Sequence, residues 1–155
     1  MFKSEKIKKI FEENGWYEGR RVDVTNYIEM YKEFNIVPCS LALNILEEFG
    51  GLQIKLPTKT LGFVTSLIFD PSEGEVTFEE LYEFEAMLGE KLTPLVFFPR
   101  STLDIYLSES NEFYFVGSYE FMYIVRIGSD FYEMLEIYFN KKYLNNDEFP
   151  NLYSE

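Results

Sequence analysis

The stretch from Ser40 to Leu56, SLALNILEEFGGLQIKL, limits the possible folds of this chain more than any other. Leu41, Leu43, Ile45, Leu46 and Phe49 fall mainly at three-to-four-residue spacing, and beyond them Leu52, Ile54 and Leu56 alternate with Gln53 and Lys55. A helix therefore becomes a strand across Gly50-Gly51. Two glycines suit such a corner. A helix end commonly needs one residue at positive φ, which glycine adopts without a Cβ clash, and a second glycine lets helix and strand backbones lie close. The rest of the chain has to cover both arms.

The flanking patterns supply the cover. Ser4 reads as the N-cap of a first helix running to Asn14, with Ile7, Ile10 and Phe11 buried and Gly15 as its stop. Gly19, Arg20 and Arg21 form a turn, Val22 and Val24 a short extended piece, and Tyr27, Ile28, Tyr31 and Phe34 one face of a second helix, which Pro38 separates from the corner helix. Trp16 follows a helix stop, where its ring closes over the core and its indole N–H finds a carbonyl.

After the corner, Pro57 to Thr60 reads as a hairpin connection, Leu61 to Phe69 as a strand and Asp70 to Gly74 as a turn. Thr77 with Glu80 makes a capping box for a helix that Gly89 ends. Phe78, Leu81, Tyr82, Phe84 and Leu88 share its apolar face, and Glu79, Glu80 and Glu83 point away. Glu85 falls among the apolar positions. It either snorkels outward or pairs with Arg20, Arg21, Arg100 or Arg126; a catalytic carboxylate is the less favoured account, because buried carboxylates are usually paired for structural reasons.

Leu95 to Phe98, then Leu103, Ile105 and Leu107 alternating with Asp104 and Tyr106, then Phe113 to Val116, are strands whose short links make them antiparallel. Phe121 to Ile127 fits a strand or a short helix. Ser129, Asp130 and Glu133 open a last helix with the stripe Phe131, Met134, Leu135 and Tyr138, closed by Lys141 and Lys142. Helices first and strands later predict an α+β fold: N-terminal helices on a mainly antiparallel sheet of about four to six strands, with a closing C-terminal helix. Residues 1–143 are expected to form one domain, with a polar tail from Leu144 to Glu155.

Several chemistries are excluded. There is no histidine and only one cysteine, Cys39, which removes Ser-His and Cys-His nucleophiles, His-ligated metal centres, cysteine-only zinc sites and an internal disulfide. No catalytic residue, cofactor or metal is expected. The apolar runs are too short to span a bilayer and the N-terminal segment has no continuous apolar core. The reading is therefore no membrane, no signal peptide and a cytoplasmic location. Gly50-Gly51 follows a helix, unlike a phosphate-binding loop, and the aromatics from Phe113 to Phe121 lack the Lys and Arg neighbours of a base-stacking platform.

Net charge is the most informative bulk number: -13, from 27 acidic and 14 basic residues. It argues against direct nucleic-acid binding and for a basic partner, with solubility alone as the plain alternative. Asp70, Glu73, Glu75, Glu79, Glu80, Glu83, Glu85 and Glu90 lie between residues 70 and 92 against Lys91 alone, so more than half the net charge sits there. This is either a solvated helix face or a docking surface that imitates phosphates to a cationic partner; a calcium loop is the third option, but its DxDxDG spacing is missing. The partner-binding candidates are Asp70, Glu73, Glu75, Glu79, Glu80 and Glu83.

Gly15-Trp16, then Gly19-Arg20 with Val22-Asp23-Val24, then Leu46-Glu47-Glu48-Phe49-Gly50-Gly51-Leu52 running into a strand, and a late Ile127-Gly128 before the last helix, resemble the SUKH superfamily, in particular its third immunity-protein clade. The resemblance covers most of the chain. It implies a cytoplasmic immunity protein of a bacterial polymorphic toxin system, which binds and neutralises a cognate toxin, often a basic nuclease domain, without catalysis of its own. It also implies that Trp16, Arg20, Gly50, Gly51 and Leu52 maintain the fold. The acidic contacts are inferred from this sequence alone. Two other functions compete: a regulatory or scaffolding module of the same superfamily, and a carboxylate-based enzyme, which needs two acids facing across a cleft.

Overall fold

A computed structural model describes residues 1–57, 64–74, 78–99, 103–118 and 122–140. Its elements are helices α1 (Glu5–Glu13), α2 (Thr25–Glu33) and α3 (Ser40–Phe49), strands β1 (Gln53–Pro57) and β2 (Val64–Ile68), a 3-10 turn (Pro71–Glu73), helix α4 (Phe78–Leu88), strands β3 (Leu92–Phe97), β4 (Leu103–Ser108), β5 (Phe113–Ser118) and β6 (Met122–Gly128), and helix α5 (Phe131–Phe139).

The corner forms where its pattern places it. α3 buries Ala42, Ile45, Leu46 and Phe49, while Leu41 and Leu43 are only partly covered. The two glycines divide their roles differently from the expectation. Gly51 has φ +81° and donates its N–H to the Phe69 carbonyl at 2.9 Å. Gly50 has an ordinary φ of -53°, but a Cβ there would lie 2.4 Å from the Leu46 carbonyl oxygen and 2.9 Å from the Tyr27 ring. The close approach is thus to the helix's own last turn and to α2, rather than to the strand.

Arg20 completes the corner. Its guanidinium donates to the carbonyls of Glu48 and Gly50, which close the C-terminal end of α3, where intrahelical donors run out and the dipole favours a cation. Arg20→Ala should lower stability by about 2 kcal/mol in urea unfolding, the weight of charged hydrogen bonds to partly buried carbonyls. Arg20→Lys keeps the charge without the fork and should recover part of the loss.

The sheet runs β1-β2-β3-β4-β5-β6 in chain order with every neighbour antiparallel. This is the α+β fold expected. The register pairs Ile105 with Phe115 and Leu107 with Phe113, so these four share a face. α5 covers that face, with Phe131 6.2 Å from Phe113 and Tyr138 6.2 Å from Phe115 between ring centroids. Phe11 of α1, Phe49 of α3 and Phe69 join it in one aromatic cluster with Phe131.

Asp104, Tyr106, Val116 and Tyr114 share the opposite face, and all four are buried. The alternation along β4 therefore does not separate inside from outside, as its sequence pattern implied. α4 lies over that second face, with Leu81 beside Tyr106 and Asp104. Helices on both sides of a central strand leave neither of its faces wet.

Local signals hold where the geometry is short-range. Ser4 Oγ accepts from the Ile7 N–H and Asp130 from the Glu133 N–H, and Gly15 and Gly89 sit at positive φ after their helices. Phe121 to Ile127 resolves as a strand from Met122, held by a ladder to β5. Strand β3 starts earlier than read, at Leu92, with a register shift between Pro94 and Val96, where proline has no N–H for the ladder.

Other expectations are corrected. In α2 only Tyr31 is fully buried, while Ile28 and Phe34 are exposed, because the sheet meets one edge of the helix. Val24 caps α2 at ψ 6° rather than extending, although the Val22 N–H does pair with the Glu47 carbonyl. Trp16 is buried against Phe2, but its indole nitrogen has no hydrogen-bond partner among the described residues. Glu85 pairs with no arginine among the described residues: its carboxylate accepts the Leu92 N–H at 2.9 Å, holding the start of β3 to α4. The Pro57–Thr60 link beyond Pro57, the first residues of the Leu61–Phe69 strand, Thr77 with its capping box, Arg100, Ser101, Phe121, Lys141, Lys142 and the tail from Leu144 lie outside the described residues.

Candidate functional site

The acidic segment folds into two pieces on one side of the sheet. In the 3-10 turn, Asp70 accepts from the N–H and hydroxyl of Ser72 at 3.0 and 2.6 Å, so its carboxylate caps the turn and is half-buried. Glu73 next to it is exposed, and Glu75 lies outside the described residues. On α4, Glu79 and Glu83 are exposed one turn apart, whereas Glu80 is half-buried toward the sheet.

Among the described residues the salt bridges are Arg21–Glu47 and Arg126–Glu112, so neither Glu79 nor Glu83 has a cationic partner there. Like charges at this spacing disfavour the helix by about 0.2–0.5 kcal/mol. The pair is a small burden on the fold.

The same side carries two exposed apolar groups, of which the sequence pattern placed Tyr82 on the apolar face of its helix and gave no reading of Val37. Tyr82 is 49% exposed and Val37, in the link between α2 and α3, is 89% exposed. They line one hollow of ≈ 90 Å³ floored by Ile36 and Leu81. A second cavity of ≈ 140 Å³ shares that floor and is bounded by Phe34, the 3-10 turn, Asp104 and Tyr106. A third, open hollow of ≈ 390 Å³ shares Tyr82 and Glu85 and continues to Gly89, Glu90 and Glu109. The three form a track along α4 from the 3-10 turn to the β4–β5 hairpin.

Carboxylates dominate the charges around it. Burial first, then the charges of Asp104 and Glu80, hold the Tyr106 phenol well above its ordinary range. Near the far end, burial first and then Glu90 and Glu112 raise Tyr114, with Arg126 opposing them. Both tyrosines stay neutral hydrogen-bonding groups and neither is a general base. Among the described residues no three Cys, Asp or Glu side chains are grouped to hold a metal ion, and no helix is long and apolar enough to cross a membrane.

The remaining sequence-derived residues, Trp16, Arg20, Gly50, Gly51 and Leu52, converge on the corner instead, where Leu52 is buried and exchanges backbone hydrogen bonds with Phe49 and Phe69. The structure thus places these corner residues apart from the acidic segment. Sequence reasoning missed Val37 and Tyr82. Val37 borders Pro38 in a link without periodicity, and Tyr82 sits at the rim of the apolar arc of α4, which is the only signal either residue offers.

A model of the SUKH-3 immunity protein family matches residues 3–139. No curated protein and no solved structure matches the chain.

Proposed function

The chain belongs to the SUKH-3 immunity protein family, and from that premise we propose that it binds and neutralises a cognate bacterial toxin by covering the toxin's working surface. The toxin is a basic nuclease domain. An enzyme that grips a polyanion needs a cationic face, and a protein of net charge -13 with exposed carboxylates on one helix complements such a face. The contact uses Glu73, Glu79, Glu80 and Glu83, with Asp70 and Glu75 in the adjoining segment. The protein works in the cytoplasm, where the toxin acts, and makes or breaks no bonds itself.

The observation that carries this reading is the pair of exposed acids on α4 that have no cationic partner among the described residues, within a family of immunity proteins. Co-expression with the protein encoded by the neighbouring gene should restore growth to cells which that protein poisons, and purified chain should abolish its nuclease activity at equimolar ratio. Failure to rescue, or inhibition at far below equimolar amounts, would overturn the reading, the latter because it implies turnover.

A further inference from the structure

The acids explain attraction but not the exposed apolar groups between them. Val37 and Tyr82 come from elements 45 positions apart in the chain, yet face each other over Ile36 and Leu81. A hollow with an apolar floor and a charged rim is the arrangement in which a desolvated anchor dominates binding while the rim sets approach and register.

The shape narrows the occupant. The cavities of ≈ 140 and ≈ 90 Å³ are smaller than the ~300 Å³ at which small-molecule sites begin, and the third hollow is open. Along α4 they follow one another from Leu81 to Gly89 just past its end, a length of roughly 12 Å at 1.5 Å per residue. About four residues of extended polypeptide span that distance.

Charge narrows it further. Glu85, Glu90 and Glu109 line the track, and Lys91 is the one cation among its described lining residues. A second copy of this chain would bring the same carboxylates against each other, which disfavours self-association.

We infer that the track along α4 receives an extended cationic segment of the partner, with one aliphatic or aromatic side chain inserted between Val37 and Tyr82 and Lys or Arg residues on either side of it. This rests on the immunity reading for the partner's identity, but the track can be probed without the toxin. Val37 is largely solvent-exposed and Tyr82 half-exposed at the rim of its helix, so Val37→Ser and Tyr82→Ala should lower the melting temperature by only a few degrees and leave the fold intact.

The test pans displayed random short peptides on the full-length chain and measures the enriched peptides by fluorescence anisotropy. Enrichment of peptides with a Leu, Ile, Phe or Trp flanked by Lys or Arg is expected. Their affinity should fall about tenfold in the double variant, the loss typical of removing a central anchor, and should also weaken with salt. Enrichment of acidic or uncharged peptides, no enrichment, or binding indifferent to the double variant overturns the inference. Concentration-dependent self-association abolished by the same two substitutions would assign the track to a second copy and overturn it as well. Growth rescue that survives while this test fails leaves the immunity reading standing with its contact elsewhere.

Discussion

Replacing Glu79, Glu80 and Glu83 together by Lys should weaken toxin binding by two to three orders of magnitude and abolish protection of poisoned cells. Each reversal removes an attraction and adds a repulsion against a cationic face, and a screened charge pair at a contact is worth up to about 1 kcal/mol. Three reversals therefore amount to roughly 3–4 kcal/mol, or a factor of several hundred in Kd. Much of the change should appear in the association rate, because charges at the edge of an interface act mainly by steering. It should shrink as ionic strength rises.

Glu80 is half-buried and engaged with its surroundings. The double variant Glu79→Lys/Glu83→Lys is accordingly the cleaner one, since both side chains are exposed and its fold should be intact by circular dichroism. Binding kinetics at low and high salt, beside growth rescue, provide the check. Unchanged affinity in the double variant would remove this face of α4 from the contact while leaving the family membership untouched.

Gly50→Ala should destabilise the protein by about 3 kcal/mol, the upper end of what overpacking ordinarily costs. The φ of -53° is open to any residue, so backbone strain is not the cause. The added methyl would stand 2.4 Å from the Leu46 carbonyl oxygen, which also accepts the Gly50 N–H, and 2.9 Å from a ring carbon of Tyr27. Neither neighbour is a free side-chain end. Relief requires opening the last turn of α3 or moving α2, and both disturb the carbonyls that Arg20 holds.

Gly89→Ala is the control. Its φ is +71° with no atom within 4 Å of the added Cβ, so only the left-handed backbone resists, at about 1 kcal/mol. Urea unfolding of the two variants should rank them in that order. Equal losses would mean that the contact around Gly50 is not what makes glycine necessary there.

The candidate site was half legible in the sequence. The acids stand together in the chain, so their density between residues 70 and 92 was visible, and so was the outward placement of Glu79 and Glu83, whereas Glu80, read as pointing away, is half-buried. The apolar half was not. Tyr82 lies within the apolar arc of α4, and only the position of the sheet beneath that helix decides that Leu81 and Phe84 turn inward while Tyr82 stays at the surface. Val37 becomes its neighbour through the path of the α2–α3 link, which no local spacing encodes. Glu85 is similar. Its bond to the Leu92 N–H depends on how α4 hands the chain to β3.

By itself the sequence determined the helix-to-strand corner at Gly50-Gly51, the caps at Ser4 and Asp130, the order of helices and strands and the resemblance to an immunity family. Each of these rests on residues within a few positions of one another, where hydrogen bonding and periodicity act directly. Tertiary structure alone decided that both faces of β4 are covered, burying Asp104 and Tyr106, that the indole nitrogen of Trp16 has no hydrogen-bond partner among the described residues, and that Val37 and Tyr82 meet across a groove. Burial is set by what packs above a residue, and in an antiparallel sheet layered between helices that cover comes from segments far away along the chain.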